Sequence, residues 1–72
     1  MTNTILLRET IAESGLKLSY IAEKMGLSSY GFSKKLNGET EFKASEIENL
    51  CSILQINDVS RRMSIFFAKK VE

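Results

Sequence analysis

The sequence predicts an all-α fold in which four or five short helices surround one small core. Apolar residues recur at spacings of three and four along most of the 72 residues, which is the period of an amphipathic helix. Gly15, Gly26 and Gly38 each follow such a stretch, at the position where helices often end in a left-handed residue. Short helices joined by tight turns pack into a compact helical domain.

The first two helices are predicted from their N-caps and apolar stripes. The first covers about residues 3–14, with Thr2 or Asn3 as the N-cap residue. The second covers about residues 18–25 and ends at glycine. Its inward stripe falls at positions i, i+3, i+4 and i+7 and consists of Leu18, Ile21, Ala22 and Met25.

The third and fourth helices follow from the same kind of pattern. The third covers about residues 28–36, with Ser28 as its N-cap and with Phe32 and Leu36 on the buried face. The fourth covers about residues 44–54. Its stripe is formed by Ile47, Leu50, Cys51 and Leu54.

The C-terminal part of the chain is less regular. Asn57 is a suitable N-cap for a short fifth helix that contains Val59 and Met63. The stretch 65–72 fits either the end of that helix or a short strand, because its apolar residues are consecutive and show neither period.

The composition excludes several classes of function. The chain has no histidine, so a Ser-His or Cys-His nucleophile pair is impossible. Its single cysteine, Cys51, cannot form an internal disulfide or supply a four-ligand zinc site, and its place on an apolar stripe predicts a buried side chain. We therefore expect no enzymatic activity, no metal, no cofactor and no small-molecule substrate.

Charge and hydropathy narrow the class further. The formal net charge is only +1, so overall charge identifies no partner. The longest apolar runs, 5–7 and 65–67, are far too short to span a bilayer. These features predict a small cytoplasmic domain that covers residues 1–72, binds a partner and does not contact a membrane.

The segment 16–38 contains the most informative pattern. Two short helices, about 18–36 in total, are joined by Gly26-Leu27-Ser28, and a short glycine-containing turn of this kind is the helix-turn-helix signal. Packing of the second helix through its apolar side leaves the opposite side exposed. An α-helix of this width fits the major groove of DNA.

The residues of this segment resemble the Xre/Cro family of helix-turn-helix regulators, which includes small phage repressors. Segments 41–57 and 65–71 are similar to a phage-encoded branch of that family. Three positions depart from the family pattern, namely Lys17, Leu18 and Lys35. The resemblance implies a lambda-repressor-like domain of five helices that represses transcription by binding a double-stranded DNA operator. It is carried by Leu18, Ile21, Ala22, Gly26, Leu27, Ser28, Phe32 and Gly38.

The resemblance also implies which side chains contact DNA. Contacts to base edges would come from Ser29, Tyr30 and Lys34. Contacts to phosphates would come from Lys17, Ser28, Ser33, Lys35, Asn37 and Lys43.

A homodimer is predicted because one subunit neutralising about four phosphates would bind weakly in physiological salt. Two half-sites would then lie about one helical turn apart. The dimer surface is expected within 57–72, since a chain this short cannot readily bury all of its C-terminal apolar residues. We assign it to Met63, Ile65, Phe66 and Phe67.

A helix-turn-helix domain also serves in some proteins as a docking unit. The alternative prediction is therefore a protein-interaction module that reads no operator and uses the surface around Phe66 and Phe67. Steep salt dependence of binding would favour DNA recognition. Salt-insensitive binding to a partner would favour docking.

Overall fold

The computed structural model describes residues 1–68, and this part of the chain consists of five α-helices joined by short loops, without a strand. The predicted all-α fold is confirmed. The stretch after Ser64 continues α5 through Ile65 and Phe66, so the helical alternative for this region is the observed one. The helices are α1 (Thr4–Ser14), α2 (Leu18–Met25), α3 (Ser29–Leu36), α4 (Ala44–Ile53) and α5 (Val59–Phe66).

All five helices contribute to one core. Phe42, from the loop between α3 and α4, lies between two other aromatic rings in that core. Its ring centroid is 6.5 Å from that of Phe32 and 5.8 Å from that of Phe66, both with edge-on geometry. A loop residue therefore links α3 to α5. The core consists of Leu7, Ile11, Ile21, Ala22, Phe32, Leu36, Phe42, Ile47, Leu50, Cys51, Ile56, Ile65 and Phe66.

The turn between α2 and α3 has the predicted geometry. Gly26 has a φ of 71°, which is the left-handed conformation that glycine adopts without strain. The backbone N–H of Leu27 donates to the Ala22 carbonyl at 2.9 Å, and the Leu27 side chain packs against the core. The Ser28 hydroxyl then accepts a hydrogen bond from the Gly31 N–H at 3.0 Å. Ser28 is thus the N-cap of α3, as predicted.

The other two predicted N-caps had more than one candidate residue nearby. Asn3 caps α1, because its side-chain oxygen accepts from the Leu6 N–H at 3.1 Å. Asp58 caps α5 through a 3.3 Å bond from the Ser60 N–H, so the assignment of that cap to Asn57 was wrong by one residue. Asn and Asp are equally good N-caps, and the residue type alone does not choose between neighbours.

The two ends of the described chain pair with each other. The Met1 ammonium donates to the Ala68 carbonyl at 3.3 Å, and the Ala68 N–H donates to the Met1 carbonyl at 3.0 Å. The Asn3 N–H donates to the Ile65 carbonyl at 2.6 Å. The residues before α1 therefore run antiparallel to the end of α5.

The predicted dimer surface requires a correction. Ile65 and Phe66 are 0% and 3% exposed and belong to the chain's own core, so they have no surface left for contact with a second chain. Met63 and Phe67 remain accessible, at 50% and 51%. The last four residues of the predicted segment 57–72 lie outside the described residues.

Candidate nucleic-acid interface

The exposed side of α3 is the centre of the candidate interface. Phe32 and Leu36 attach the helix to the core, so the opposite side faces solvent. Ser29 and Ser33 are exposed there, and Tyr30 is 74% exposed. The sequence of α3 contains no acidic residue. This surface can donate hydrogen bonds without presenting a carboxylate to a phosphate-rich ligand.

Lys34 shares this surface with Tyr30. The two residues are four apart on the helix, and the Lys34 Nζ lies 5.4 Å from the centroid of the Tyr30 ring. A lysine at this distance is attracted to the ring face. The ring therefore restrains an ammonium group that can donate to guanine O6 and N7.

Two of the predicted phosphate-contacting lysines precede helices. Lys17 is the N-cap residue of α2 and Lys43 that of α4, and both are exposed. The unpaired N–H groups and the dipole at a helix N-terminus attract anions. Ser28 accepts from the Gly31 N–H, which leaves its own hydroxyl proton available to donate to a phosphate.

The predicted phosphate contact of Lys35 is not compatible with its position. Its side chain is only 12% exposed, and its Nζ lies 3.0 Å from Glu46 Oε1. The same ammonium donates to the Glu41 carbonyl at 3.0 Å. Lys35 is therefore engaged inside the protein, and we remove it from the set of phosphate contacts.

Arg8 is a candidate interface residue that was not predicted from the sequence. Its guanidinium donates to the Asn37 side-chain oxygen at 2.6 Å, and both residues are exposed. A guanidinium has five N–H donors, so Arg8 retains donors for a further ligand. No local pattern predicts this pair, because the two residues are 29 positions apart and meet only through the packing of α1 on α3.

Metal binding and thiol chemistry are not supported by the side chains of the described part of the chain. Residues 1–68 contain no cluster of three or more His, Cys, Asp or Glu side chains that could hold a metal ion. Cys51 is buried, as predicted, and burial raises the pKa of its thiol even though Arg62 opposes the shift. A buried thiol of this kind is a poor nucleophile. None of the five helices is long and apolar enough to cross a bilayer.

Comparison with known proteins identifies the family. A family model described as the Cro/C1-type HTH DNA-binding domain matches residues 6–59, from α1 to the start of α5, which is more than half of the chain. Searches of curated proteins and of solved structures gave no significant match. The family match confirms the resemblance that the sequence indicated. The chain belongs to the Cro/C1-type helix-turn-helix DNA-binding domains.

Proposed function

We propose that this protein is a sequence-specific regulator of transcription that binds a double-stranded operator and inserts α3 into the major groove. The observation that carries this proposal is the acid-free exposed side of α3, on which Lys34 lies against Tyr30. Ser29, Tyr30 and Lys34 would contact base edges. The major groove presents a distinct pattern of donors and acceptors for each base pair, so three such side chains can discriminate sequence.

The positive groups around α3 support binding to the DNA backbone. Three cations, namely Arg8, Lys17 and Lys43, are candidates to neutralise phosphates on one DNA segment. A subunit with about three such contacts would give a log-log salt slope of about −3. Ser28, Ser33 and Asn37 would add neutral hydrogen bonds to phosphates, which orient the protein without adding to that slope.

A homodimer is part of the proposal. Val59, Met63 and the C-cap residue Phe67 are exposed and spaced by four residues, so they form an apolar line along α5 and its C-terminal end, here named the α5 stripe. Covering it with the same stripe of a second copy would remove this surface from water. A two-fold dimer would bind two half-sites about 34 Å apart.

We infer that the regulator represses transcription in the manner of small phage proteins of the Cro type. The similarity of segments 41–57 and 65–71 to a phage-encoded branch supports this inference. A protein bound at an operator blocks access of RNA polymerase to the overlapping promoter. Such a regulator of phage or prophage genes acts in the cytoplasm, where the DNA lies.

Affinity selection from random duplex DNA tests the function. We expect the wild-type chain to enrich a two-fold-symmetric site, and Lys34→Ala to relax the preference at particular bases. Lys24→Ala is a matched control. Lys24 lies against Tyr20 with a similar distance of 5.7 Å, but its surroundings belong to α1 and α4 and not to α3.

Enrichment of the same site by wild type and Lys24→Ala, with a preference relaxed at particular bases for Lys34→Ala, would support the proposal. Failure of folded wild-type protein to enrich any duplex at low salt would contradict it.

The second candidate function is protein docking, which the exposed α5 stripe favours. Binding to a protein partner that is insensitive to salt and lost on substitution of Phe67 would then be the expected result.

A further inference from the structure

Lys34 and Lys35 are adjacent in the last turn of α3 but have different surroundings. Lys34 lies on the exposed side against Tyr30, whereas Lys35 turns toward α4. The Lys35 ammonium also lies 5.9 Å from the centroid of the Phe42 ring, and its side chain thus covers a core residue of the loop. Lys35 of α3 thus contacts both the loop, at Phe42, and α4, at Glu46.

The carboxylate of Glu46 completes this junction. The same oxygen, Oε1, is 3.0 Å from the Lys35 Nζ and accepts a hydrogen bond from the Lys43 backbone N–H at 2.8 Å. The ammonium meanwhile holds the Glu41 carbonyl at 3.0 Å. One ion pair thus fixes the loop backbone at two residues. Both partners are shielded, with side chains 12% and 16% exposed, which strengthens the interaction relative to a surface pair.

The loop held in this way borders the recognition surface. It carries two exposed acids, Glu39 and Glu41, directly after α3, and one exposed candidate cation, Lys43. A change in loop position therefore moves negative charges toward or away from DNA and moves one proposed phosphate contact at the same time.

We propose that Lys35 is a positioning residue of the DNA interface. Through Glu46 and the Glu41 carbonyl it fixes loop 38–43 relative to α3, so that Lys43 and the exposed side of α3 meet one DNA segment together. Lys35 does not itself contact a phosphate. The inference rests on the proposed function and adds a role that the exposed residues alone do not reveal.

Two substitutions with opposite changes in net charge separate positioning from simple electrostatics. Lys35→Met removes the ammonium and keeps most of the stem over Phe42. Glu46→Met removes the acceptor and releases Lys35 toward solvent. If only charge mattered, the first would weaken DNA binding and the second would strengthen it. If Lys35 positions the loop, Lys35→Met and Glu46→Met should each weaken DNA binding by about tenfold. The double variant should bind DNA little more weakly than either single variant.

Salt titrations on the selected duplex provide the matched comparisons. Lys17→Met removes a proposed phosphate contact outside the loop and should reduce the salt slope by about 1. Lys35→Met should lower affinity and reduce the slope by no more than the one phosphate contact that Lys43 provides, and it should reduce the slope no further in a Lys43→Met background. Glu48→Met makes the same charge change as Glu46→Met at an exposed position on α4 and should not weaken binding. Lys35→Arg keeps the charge and the donors and should restore most of the affinity.

Amide hydrogen exchange gives a readout that needs no DNA. Protection of the Glu39 and Lys43 amides, which donate to the Lys34 carbonyl and to Glu46 Oε1, should fall in Lys35→Met while the helices stay protected, and this also verifies that the variant is folded. Wild-type affinity in Lys35→Met, or tighter DNA binding by Glu46→Met, would overturn the positioning role alone. Absence of any operator for the wild-type chain would instead overturn the proposed function and, with it, this role.

Discussion

Gly31 lies in the first turn of α3 beside the residue that caps it. A Cβ added at Gly31 would be 3.1 Å from the Ser28 Oγ, which accepts the hydrogen bond from the Gly31 N–H. Alanine favours a helix over glycine by about 1 kcal/mol. Displacement of the cap oxygen costs about the same amount. The glycine therefore protects the cap, and the two effects should nearly cancel.

A double-mutant cycle tests this coupling. In the wild-type background, Gly31→Ala should change the free energy of unfolding very little. In the Ser28→Ala background, where the cap is already lost, the same substitution should stabilise the protein by about 1 kcal/mol. Urea unfolding of the four chains measures both values. An equal gain in both backgrounds would show that Gly31 and the cap are independent.

Glu46 gives the free energy of unfolding a specific dependence on pH. Burial raises its pKa, but hydrogen bonds from the Lys43 N–H and the Lys35 ammonium, with the charges of both lysines, bring it below the ordinary value of 4.5. A carboxyl with a lowered pKa in the folded state stabilises the protein above its unfolded pKa. This contribution is lost as the pH falls through the folded pKa.

We therefore expect the stability advantage of wild type over Glu46→Gln to be constant from pH 7 to about 5 and to shrink below the ordinary pKa of 4.5. Urea unfolding at several pH values measures this difference. Glu48→Gln, at an exposed position of the same helix, is the control and should show a smaller change. A difference between wild type and Glu46→Gln that does not shrink between pH 5 and pH 3 would contradict the assigned cause.

At the scale of the helices, α4 is followed, directly after its C-cap Leu54, by an unusual residue. Gln55 has a φ of 56°, and the Ile56 N–H donates to the Cys51 carbonyl at 2.8 Å while Ile56 itself is buried. This is the hydrogen-bond pattern of a helix that ends in a left-handed residue, where glycine is favoured. The sequence has glutamine there, which is strained in this conformation.

Gln55→Gly should raise the free energy of unfolding by about 1 kcal/mol, because the left-handed conformation costs glycine nothing. Gln55→Val should lower it by at least as much, since a β-branched residue tolerates positive φ least. Thermal and urea unfolding of wild type, Gln55→Gly and Gln55→Val measure the order of their stabilities. Equal stability of the glycine and valine variants would contradict the assigned strain.

Helix boundaries were predictable where a strong local signal exists. The ends of α1 and α2 followed from Gly15 and Gly26, and the start of α3 followed from Ser28. The left-handed end of α4 was not predictable, because the chain has glutamine at that position. The ion pair between Lys35 and Glu46 was also not predictable from the sequence, since it depends on the path of the loop that connects α3 to α4.

At the scale of the whole molecule, the α5 stripe determines the oligomeric state in our proposal. Met63 and Phe67 together should contribute to a dimer contact, whereas Ile65 and Phe66 are already buried within one chain. The sequence predicted an excess of apolar residues at this end. It could not show which two of the four would be covered, because that depends on the rotation of α5 against the core.

Phe67→Ser should therefore weaken self-association by about tenfold or more, as expected for an aromatic residue central to a contact. Sedimentation at several protein concentrations measures the change, and affinity for the two-fold-symmetric site should fall with it. Tyr20→Ser, which removes a partly exposed aromatic residue from α2, is the control. A monomeric wild-type protein at tens of micromolar would contradict the dimer.

The pairing of the two ends of the described chain has a mechanical consequence. Met1 and Ala68 lie at the outer end of this pairing, so a force that pulls them apart loads their two mutual hydrogen bonds before the bond from Asn3 to Ile65. Hydrogen bonds that are loaded in succession break at a lower force than hydrogen bonds that share the load. Under tension α1 and α5 should separate at low force, and in an optical trap the molecule would open from its ends inward.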